Sequence, residues 1–380
     1  MGPLFGMKIL ELAGIGPSPL AAMLLADLGA TVVRIDRPAE SGLGIERPPK
    51  YNFSLRNRKS IALDLKSEAG RDLVLRLVEE ADGLIEGFRP GVMEKLSLGP
   101  DICLARNPRL VYGRMTGWGQ EGPLAKSAGH DLNYIAVTGV LDMIGRDGQP
   151  PTPPLNLVGD FGGGALYLAF GMLAAFIESK QSGNGQVVDA AIVDGVLSLA
   201  LPLLGLHAAG QWNDSRGNNI LDSGAYFYEV YKCADEKWIS VAAIEKKFHD
   251  LLLQMLGLDA SQYGDRFDRQ NWNERKRLLA DRFMTKTRDE WCTLFGDADV
   301  CVAPVLAIAE VAHHPHMKSR EAFVEIDGIP QPAPAPRFSR SRPDRPVAPS
   351  IDKESLETAL SEWLAEDEIK LWKQNLTMPV

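Results

Sequence analysis

Short apolar runs recur along the first half of the chain, each followed by charged residues or glycine. Apolar runs bounded by such residues are typical of strands. They predict strands over residues 7–13, 31–36, 60–66, 82–86, 107–115 and 186–189, with helices over residues 20–28 and 68–81. Because strand and helix alternate, we expect βαβ units and an α/β fold built on a parallel sheet.

Two longer apolar stretches lie at residues 164–177 and 195–210. A helix needs about 20 apolar residues to cross a bilayer. The first stretch is shorter than that, and Pro202 interrupts the second. We therefore predict that both are buried core helices and that neither spans a membrane.

The pattern changes at residues 212–225, which are polar and glycine-rich and predict a crossing into a second domain. Alternating aromatic and polar positions over residues 226–243 predict a hairpin, and helices are expected over residues 244–256, 274–285 and 287–295. These elements indicate a smaller α+β domain. Residues 330–349 are proline-rich, as in an extended connector, and residues 352–375 predict a final pair of amphipathic helices.

The chain has 380 residues and a formal net charge of -9, which argues against nucleic-acid binding through phosphate contacts. An anionic ligand would have to meet a local basic cluster. Five basic residues lie at or just after predicted strand ends: Arg37, Arg58, Lys66, Arg89 and Lys95. That edge of an open parallel sheet is where ligands bind, so a polyphosphate site is one interpretation. A solvated surface, the usual place of Lys and Arg, is the other.

The first predicted strand is followed by a G-x-G turn that invites a dinucleotide interpretation. Pro17 and Pro19 come directly after it, however, and remove backbone N–H donors that a pyrophosphate would use. Arg37 follows the acidic Asp36, which suits a phosphate better than a bare ribose. The turn therefore argues against a nicotinamide cofactor.

Metal and disulfide chemistry have little support in the sequence. The four cysteines are far apart with no C-x-x-C spacing, which predicts free thiols in a reducing compartment. His313, His314 and His316 form no i, i+4 pair and are interrupted by Pro315. We therefore expect no metal site.

Three candidate acid–base side chains lie at predicted helix N-termini: His130, Asp160 and Glu245. Histidine exchanges protons near neutral pH. Asp160 precedes three glycines whose N–H groups favour an anion, so its carboxylate is either an N-cap or a proton carrier beside an oxyanion site. A histidine and a carboxylate on opposite faces of one carbon can remove and return a proton, which suits inversion next to a carbonyl.

Long motifs cover nearly the whole chain and resemble those of the α-methylacyl-CoA racemases of the class III CoA-transferase superfamily. They include E-L-A-G-I-G-P-S-P, V-V-R-I-D-R-P, G-V-M-E-K-L-S-L-G-P, M-T-G-W-G-Q-E-G-P, A-G-H-D-L-N-Y, P-P-L-N-L-V-G-D-F-G-G-G and A-A-I-E-K-K-F. The resemblance implies a Rossmann-like large domain over residues 1–215, completed by residues 326–380, and a small domain over residues 216–325. It also implies an interlocked homodimer with active sites shared between subunits.

The resemblance further implies roles for individual residues. His130 and Asp160 would flank the α-carbon of an acyl-CoA, and Glu245 of the partner subunit would hold His130. CoA would be met by Arg37, Leu63, Asp64, Leu65, Lys66, Arg89 and Lys95, and the thioester by Gly129, Asp131, Leu132, Asn133 and Tyr134. The N–H of Asp131 would stabilise the enolate oxygen. The chemistry implied is interconversion of (2R)- and (2S)-2-methylacyl-CoA without a metal or organic cofactor.

Two other functions remain open from the sequence. In a CoA-transferase of the same fold, an aspartate matching Asp160 is the nucleophile, and His130 has no role. A CoA-binding protein without chemistry would need no paired acid and base. The acyl chain also remains open: a 2-methyl fatty acid, a bile-acid side chain or another 2-substituted thioester. We expect a cytoplasmic protein that binds neither nucleic acid nor membrane, since no signal peptide or peroxisomal ending is present.

Overall fold

The computed structural model describes residues 1–39, 42, 44–349 and 354–377. The strands are β1 Lys8–Leu12, β2 Thr31–Asp36, β3 Arg58–Ala62, β4 Gly83–Glu86, β5 Val111–Thr116, β6 Val187–Ala191, β7 Tyr228–Lys232, β8 Trp238–Ala242, β9 Val302–Val305, β10 Phe323–Ile326 and β11 Ile329–Pro332. Asp352, the expected start of the last helix pair, and residues 378–380 lie outside the described residues.

The helices lie between and after these strands. The α-helices are α1 Pro17–Asp27, α2 Glu68–Glu80, α3 Val92–Lys95, α4 Pro100–Arg106, α5 Asp131–Val137, α6 Val140–Met143, α7 Tyr167–Ser182, α8 Ile192–Leu199, α9 Leu201–Ala208, α10 Lys246–Met255, α11 Trp272–Phe283, α12 Arg288–Phe295, α13 Ile308–Val311, α14 Pro315–Ser319, α15 Leu356–Leu360 and α16 Glu366–Thr377. A π-helix spans Leu157–Leu166, and short 3₁₀ turns lie at Pro49–Tyr51, Phe53–Leu55, Ala260–Tyr263 and Arg269–Asn271.

The main sheet has six strands in the order β3-β2-β1-β4-β5-β6, and every neighbouring pair is parallel. This is the strand order of the Rossmann fold, in which ligands bind beyond the carboxyl ends of the strands where the order reverses. Here the reversal falls between β1 and β4. The expected α/β fold with a Rossmann-like parallel sheet is confirmed.

The chain forms two compact units. The large unit contains Met1–Thr138, Leu155–Leu199 and Glu321–Val380, and holds the six-stranded sheet. One face of that sheet is covered by α2 and by the C-terminal helices, whose Leu360, Trp363 and Ile369 are buried against it. The last stretch of chain thus supplies part of the large unit's core.

The small unit contains Gly139–Pro154 and Ala200–Arg320. Its three strands form the antiparallel order β7-β8-β9, so the hairpin expected over residues 226–243 is confirmed. Aromatic side chains fill its core, among them Tyr226, Phe227 and Trp291. The helix α12 begins at a capping box in which Thr287 Oγ1 accepts from the N–H of Glu290 at 3.2 Å.

The strand expected over residues 60–66 ends earlier, at Ala62. Asp64 turns the chain there, because its Oδ1 accepts the N–H of Lys66 at 2.9 Å and its carbonyl accepts the N–H of Ser67 at 3.1 Å. The expectation that Arg58 lies at a ligand-binding strand end was also wrong. Arg58 begins β3 and is buried, with its Nε 2.9 Å from Oε2 of the buried Glu11.

Both expectations about the apolar stretches need correction. The helix α9 contains no buried residue, and Leu201 is 64% exposed, so this part of the second stretch is a surface and not a core. Among the described residues, Leu157–Ser182 is a continuous helical segment long and apolar enough to span a membrane by length and composition. The argument that this region is too short was therefore wrong, although core helices of soluble proteins pass the same test.

Candidate active site

Two glycines make close contacts where β1 and β4 end. A Cβ on Gly87, directly after β4, would lie 2.3 Å from Oγ of Ser18 in the first turn of α1. Gly16, which precedes α1, has φ 68° and ψ -124°, a backbone conformation that glycine adopts without strain. A Cβ on Gly16 would be 3.4 Å from Oδ2 of Asp160. The carboxylate of Asp160 therefore lies beside the β1–α1 turn, at the reversal point of the sheet.

His130 is the N-cap residue of α5, as the sequence predicted for a helix N-terminus. Its backbone is extended and its side chain is exposed. The N–H of His130 donates to Oδ1 of Asn133 at 3.0 Å, which fixes the entry of the chain into the helix. The imidazole is thus held on a defined backbone while remaining open to a ligand.

Asp160 is not an N-cap, so that interpretation was wrong. It is the fourth residue of the π-helix Leu157–Leu166. Its N–H is not free for an oxyanion, because it donates to Oδ1 of Asp131 at 2.6 Å. The N–H of Phe161 donates to the carbonyl of Asn156, five residues back, at 3.2 Å. π-Helical turns of this kind occur frequently at functional sites.

Glycine is required along the π-helix because neighbouring elements approach it closely. A Cβ on Gly163 would lie 2.8 Å from the backbone nitrogen of Val196 in α8, and one on Gly164 would lie 2.9 Å from Cβ of Pro17 in α1. The glycines therefore pack the π-helix against α1 and α8. The sequence suggested another use for them, backbone approach by an anion.

Burial raises the pKa of Asp160, and the negative charge of Asp131 raises it further. Two groups oppose this: the amide of Asn156, whose Nδ2 is 3.4 Å from Oδ2 of Asp160, and the imidazole of His130. A carboxyl with a raised pKa exchanges protons closer to neutral pH. Asp131, which follows His130 in the chain, accepts the N–H of Asp160 at 2.6 Å, so the two candidate acid–base residues lie near each other.

Tyr134, on the first turn of α5, closes the site on one side. Its hydroxyl donates to the carbonyl of Gly129, and its ring meets Trp118 edge-on with centroids 4.8 Å apart. A Cβ on Gly117 would lie 2.0 Å from this ring. Burial and the charge of Asp160 raise the pKa of Tyr134, while Arg89 lowers it. Arg89 is therefore within electrostatic reach of the site.

Two arginines follow the ends of β2 and β4, the strands on either side of β1 in the sheet. Arg37 comes directly after β2, and its guanidinium lies 5.9 Å from the centre of the Phe88 ring. Phe88 immediately precedes Arg89 after β4. Both arginines are exposed after their strands, so this edge of the sheet carries positive charge that is open to solvent.

The other residues expected to bind CoA have weaker support in the structure than Arg37 and Arg89. Leu63 is buried in the core and Leu65 packs against it, so their side chains face away from solvent. The carboxylate of Asp64 is used in the turn after β3. Lys66 and Lys95 are exposed, in that turn and at the end of α3. Of the thioester residues on α5, Leu132 and Asn133 are exposed, whereas Asp131 is buried.

Glu245 lies in the small unit, as the exposed N-cap residue of α10. Its carbonyl accepts the N–H of His249 at 3.0 Å, and Nε2 of His249 is 2.6 Å from the hydroxyl of Tyr226. The start of α10 is thus tied to the aromatic core of this unit. The contact between Glu245 and His130 of another subunit stays a prediction.

Sequence reasoning missed Asn156 and the side-chain role of Asp131. An amide four residues before Asp160 is a usable signal only if the intervening residues are helical. The sequence placed them in a loop, so the pairing of Asn156 with Asp160 was hidden. Within the described parts of the chain, no group of three or more His, Cys, Asp or Glu side chains is arranged to hold a metal ion.

The fold is that of a known family. CoA-transferase family III matches residues 4–375, and the chain belongs to this family. The alpha-methylacyl-CoA racemase of Mus musculus is 44% identical over 369 residues, covering 96% of this chain and 94% of that protein. The Homo sapiens alpha-methylacyl-CoA racemase is 44% identical over 334 residues, covering 87% and 85%.

Solved structures agree with the family assignment. The crystal structure of a CaiB/BaiF family protein from Brucella suis superposes with a TM-score of 0.83 at 26% identity, covering 96% of this chain and all (100%) of that one. The resemblance stated from the motifs is therefore confirmed.

Proposed function

We propose that the protein is an isomerase that interconverts (2R)- and (2S)-2-methylacyl-CoA thioesters. The observation that carries this proposal is the pairing of an exposed histidine, His130, with a half-buried carboxyl of raised pKa, Asp160, at the carboxyl edge of the sheet. The two racemases that are 44% identical to the chain carry the corresponding activity in their names and support the same assignment.

The reaction needs one base and one acid on opposite faces of the α-carbon. One of the pair His130 and Asp160 removes the α-proton; the C–H electrons form a C=C bond, and the C=O π electrons move onto the thioester oxygen to give an enolate. The protonated partner then returns a proton to the opposite face, and the C=C electrons form the new C–H bond. Atoms and charge balance, because the enzyme gains one proton and gives up another.

The developing enolate oxygen needs hydrogen-bond donors. Asp131 is the first residue of α5, and its N–H has no intrahelical acceptor. The dipole of α5 also favours negative charge at this end. We assign the Asp131 N–H to the thioester oxygen, a step that needs no metal or organic cofactor.

The CoA part of the substrate is assigned to the basic edge of the sheet. Arg37 and Arg89 follow β2 and β4, and the Arg37 guanidinium lies 5.9 Å from the centre of the Phe88 ring, an arrangement suited to phosphates beside an adenine. Lys66 and Lys95 would extend this basic edge.

We also propose a homodimer in which Glu245 of one subunit reaches His130 of the other. Large apolar side chains are exposed on the large unit, with Phe170 70% and Ile177 61% exposed on α7. The two residues are seven positions apart and so share one face of α7, and exposed apolar side chains on one face suit a protein interface. A second copy of the chain that covers this surface would bring a small unit to the site.

The test is incubation of one pure epimer of a 2-methylacyl-CoA in D2O, with a free carboxylic acid present as acceptor. We expect deuterium at the α-carbon, loss of stereochemical purity and CoA still on the original acyl group. CoA moving to the added acid with the α-proton untouched would overturn the proposal and leave Asp160 as a transferase nucleophile. Binding of CoA without either change would indicate a binding protein.

A further inference from the structure

The two acid–base residues are connected through a third residue that lies between them. Asp131 follows His130 directly in sequence, and its carboxylate accepts the N–H of Asp160. His130 and Asp160 are 30 positions apart in the numbering, on α5 and on the π-helix. The path from His130 to Asp160 therefore consists of one peptide bond, one side chain and one hydrogen bond of 2.6 Å.

The Asp131 carboxylate is closely enclosed. The residue is 7% exposed, and a Cβ on Gly159 would lie 2.3 Å from its Oδ1. The N–H of Gly159 also acts on this carboxylate and lowers its pKa. The carboxylate thus meets the backbone of two successive residues of the π-helix, so a shift of Asp131 must move Asp160.

This arrangement is costly for folding. Oδ2 of Asp131 is buried and has no hydrogen-bond partner among the described residues. Burial of the carboxylate raises its pKa, which means that the fold disfavours its charge. A first-turn aspartate normally stabilises a helix by facing its N–H groups from an exposed position. Asp131 instead directs its charge away from α5 and into the π-helix.

We propose that Asp131 is a positioning residue for Asp160, holding the π-helix at a fixed distance from His130 so that both groups meet one α-carbon. The inference rests on the proposed function. A displacement of about 1 Å in an acid–base group is enough to cost roughly 100-fold in rate. Since the carboxylate faces the π-helix, it contributes to the chemical step and not to CoA affinity.

The charge of Asp131 also affects the pKa of Asp160. Other charged groups on the elements packed against the π-helix act on other residues: Asp194 on α8 raises the pKa of Asp189 on β6, Asp27 on α1 pairs with Arg56, and Arg114 on β5 pairs with Glu86. His130 and Asp131 are the charged groups that act on Asp160 from α5. Removing the Asp131 charge should therefore lower the pKa of Asp160.

The experiment compares Asp131→Asn and Asp131→Ala with Asp101→Asn as the control. Asp101 is an exposed first-turn aspartate of α4. Asparagine can still accept the Asp160 N–H through its oxygen but carries no charge, whereas alanine removes both. Each variant is measured for kcat, KM, the pH profile of kcat/KM and the melting temperature.

We expect Asp131→Ala to lower kcat by roughly 100-fold with KM within about twofold. Asp131→Asn should lose less than about tenfold in kcat, and the acidic limb of its profile should move to lower pH. Its melting temperature should not fall, because a disfavoured charge has been removed. Asp101→Asn should match the wild type in all four measurements.

Two results would overturn the inference. A higher KM at unchanged kcat would mean that the Asp131 carboxylate contacts substrate. Wild-type kinetics in both Asp131 variants would mean that it positions nothing. If Asp131→Ala does not fold, the shift of the acidic limb in Asp131→Asn is the measurement that supports or overturns the inference. If the wild type transfers CoA instead of epimerising its substrate, the proposed function fails. The same variants are then measured for CoA transfer, because a nucleophilic Asp160 would need the same positioning by Asp131.

Discussion

The backbone of Gly195 lies directly against the carbonyl of Gly163: a Cβ on Gly195 would be 1.9 Å from that oxygen. The first residue is in α8 and the second in the π-helix that carries Asp160. No side chain can enter this contact without moving one of the two helices. The position of Asp160 therefore depends on a packing contact distant from the chemistry.

Gly195→Ala should lower both stability and activity. Overpacking of a close contact typically costs about 1–3 kcal/mol, and the displaced π-helix should reduce kcat as well. Urea unfolding and epimerisation rates measure the two effects. The matched control is Gly205→Ala in α9, where nothing lies within 4 Å of the added Cβ. Since alanine is the better helix former, the control should be neutral or more stable by up to about 1 kcal/mol. Equal stabilities for the two variants would contradict this account of the packing.

His130→Gln should lower kcat for epimerisation by roughly 10²–10⁴-fold, the usual range for removal of an acid–base group. Glutamine keeps a polar side chain but cannot exchange a proton near neutral pH. Loss of deuterium uptake at the α-carbon, with acyl-CoA binding retained, is the measurement. His207→Gln is the control, because His207 is an exposed histidine in the small unit. Wild-type deuterium uptake in His130→Gln would exclude a proton-transfer role for this residue.

Asn156→Ala should move the acidic limb of kcat/KM to higher pH. The amide of Asn156 donates to the ionised form of Asp160 and lowers its pKa, so its removal raises that pKa. The carboxylate form is the one that removes a proton, and a higher pKa means that less of it is present at a given acidic pH. The direction is opposite to that expected for Asp131→Asn. A shift of both variants in the same direction would mean that these neighbours do not act through Asp160.

Arg37→Ala and Arg89→Ala should each raise KM for acyl-CoA by roughly tenfold, as for the loss of one charge-assisted phosphate contact, while kcat changes little. The effect should shrink as salt is added. Arg106→Ala is the control: Arg106 is exposed and paired with Glu79, and it precedes β5, at the opposite edge of the sheet. KM values unchanged in all three variants would mean that CoA does not bind at this edge of the sheet.

The sequence was most informative where one signal determined the structure. The apolar run Thr31–Asp36 is β2 at the predicted residues, and the strand predicted over residues 82–86 is β4 Gly83–Glu86. Strand ends then place Arg37 and Arg89 at one edge by topology alone. His130 and Glu245 were correctly expected at helix N-termini, because the hydrophobic period resumes directly after each.

The remaining features depend on tertiary contacts that the sequence does not show. Glycine-rich residues 159–164 have no readable hydrophobic period, so the π-helix was predicted as a loop followed by a helix. Apolar composition alone cannot distinguish a buried helix from α9, which is exposed in this chain. Arg58 was misplaced for a similar reason: a basic residue looks solvated until its buried partner Glu11 is known.

The large unit is built from segments at both ends of the chain, and this has a consequence for biosynthesis. Its core requires Leu360, Trp363 and Ile369, which leave the ribosome after the whole small unit. The small unit is complete once Arg320 has been made. Vectorial synthesis therefore lets the small unit fold first, while the nascent sheet keeps an apolar face uncovered until these three residues have emerged. That interval is when the emerging chain is most exposed to aggregation and most dependent on chaperones.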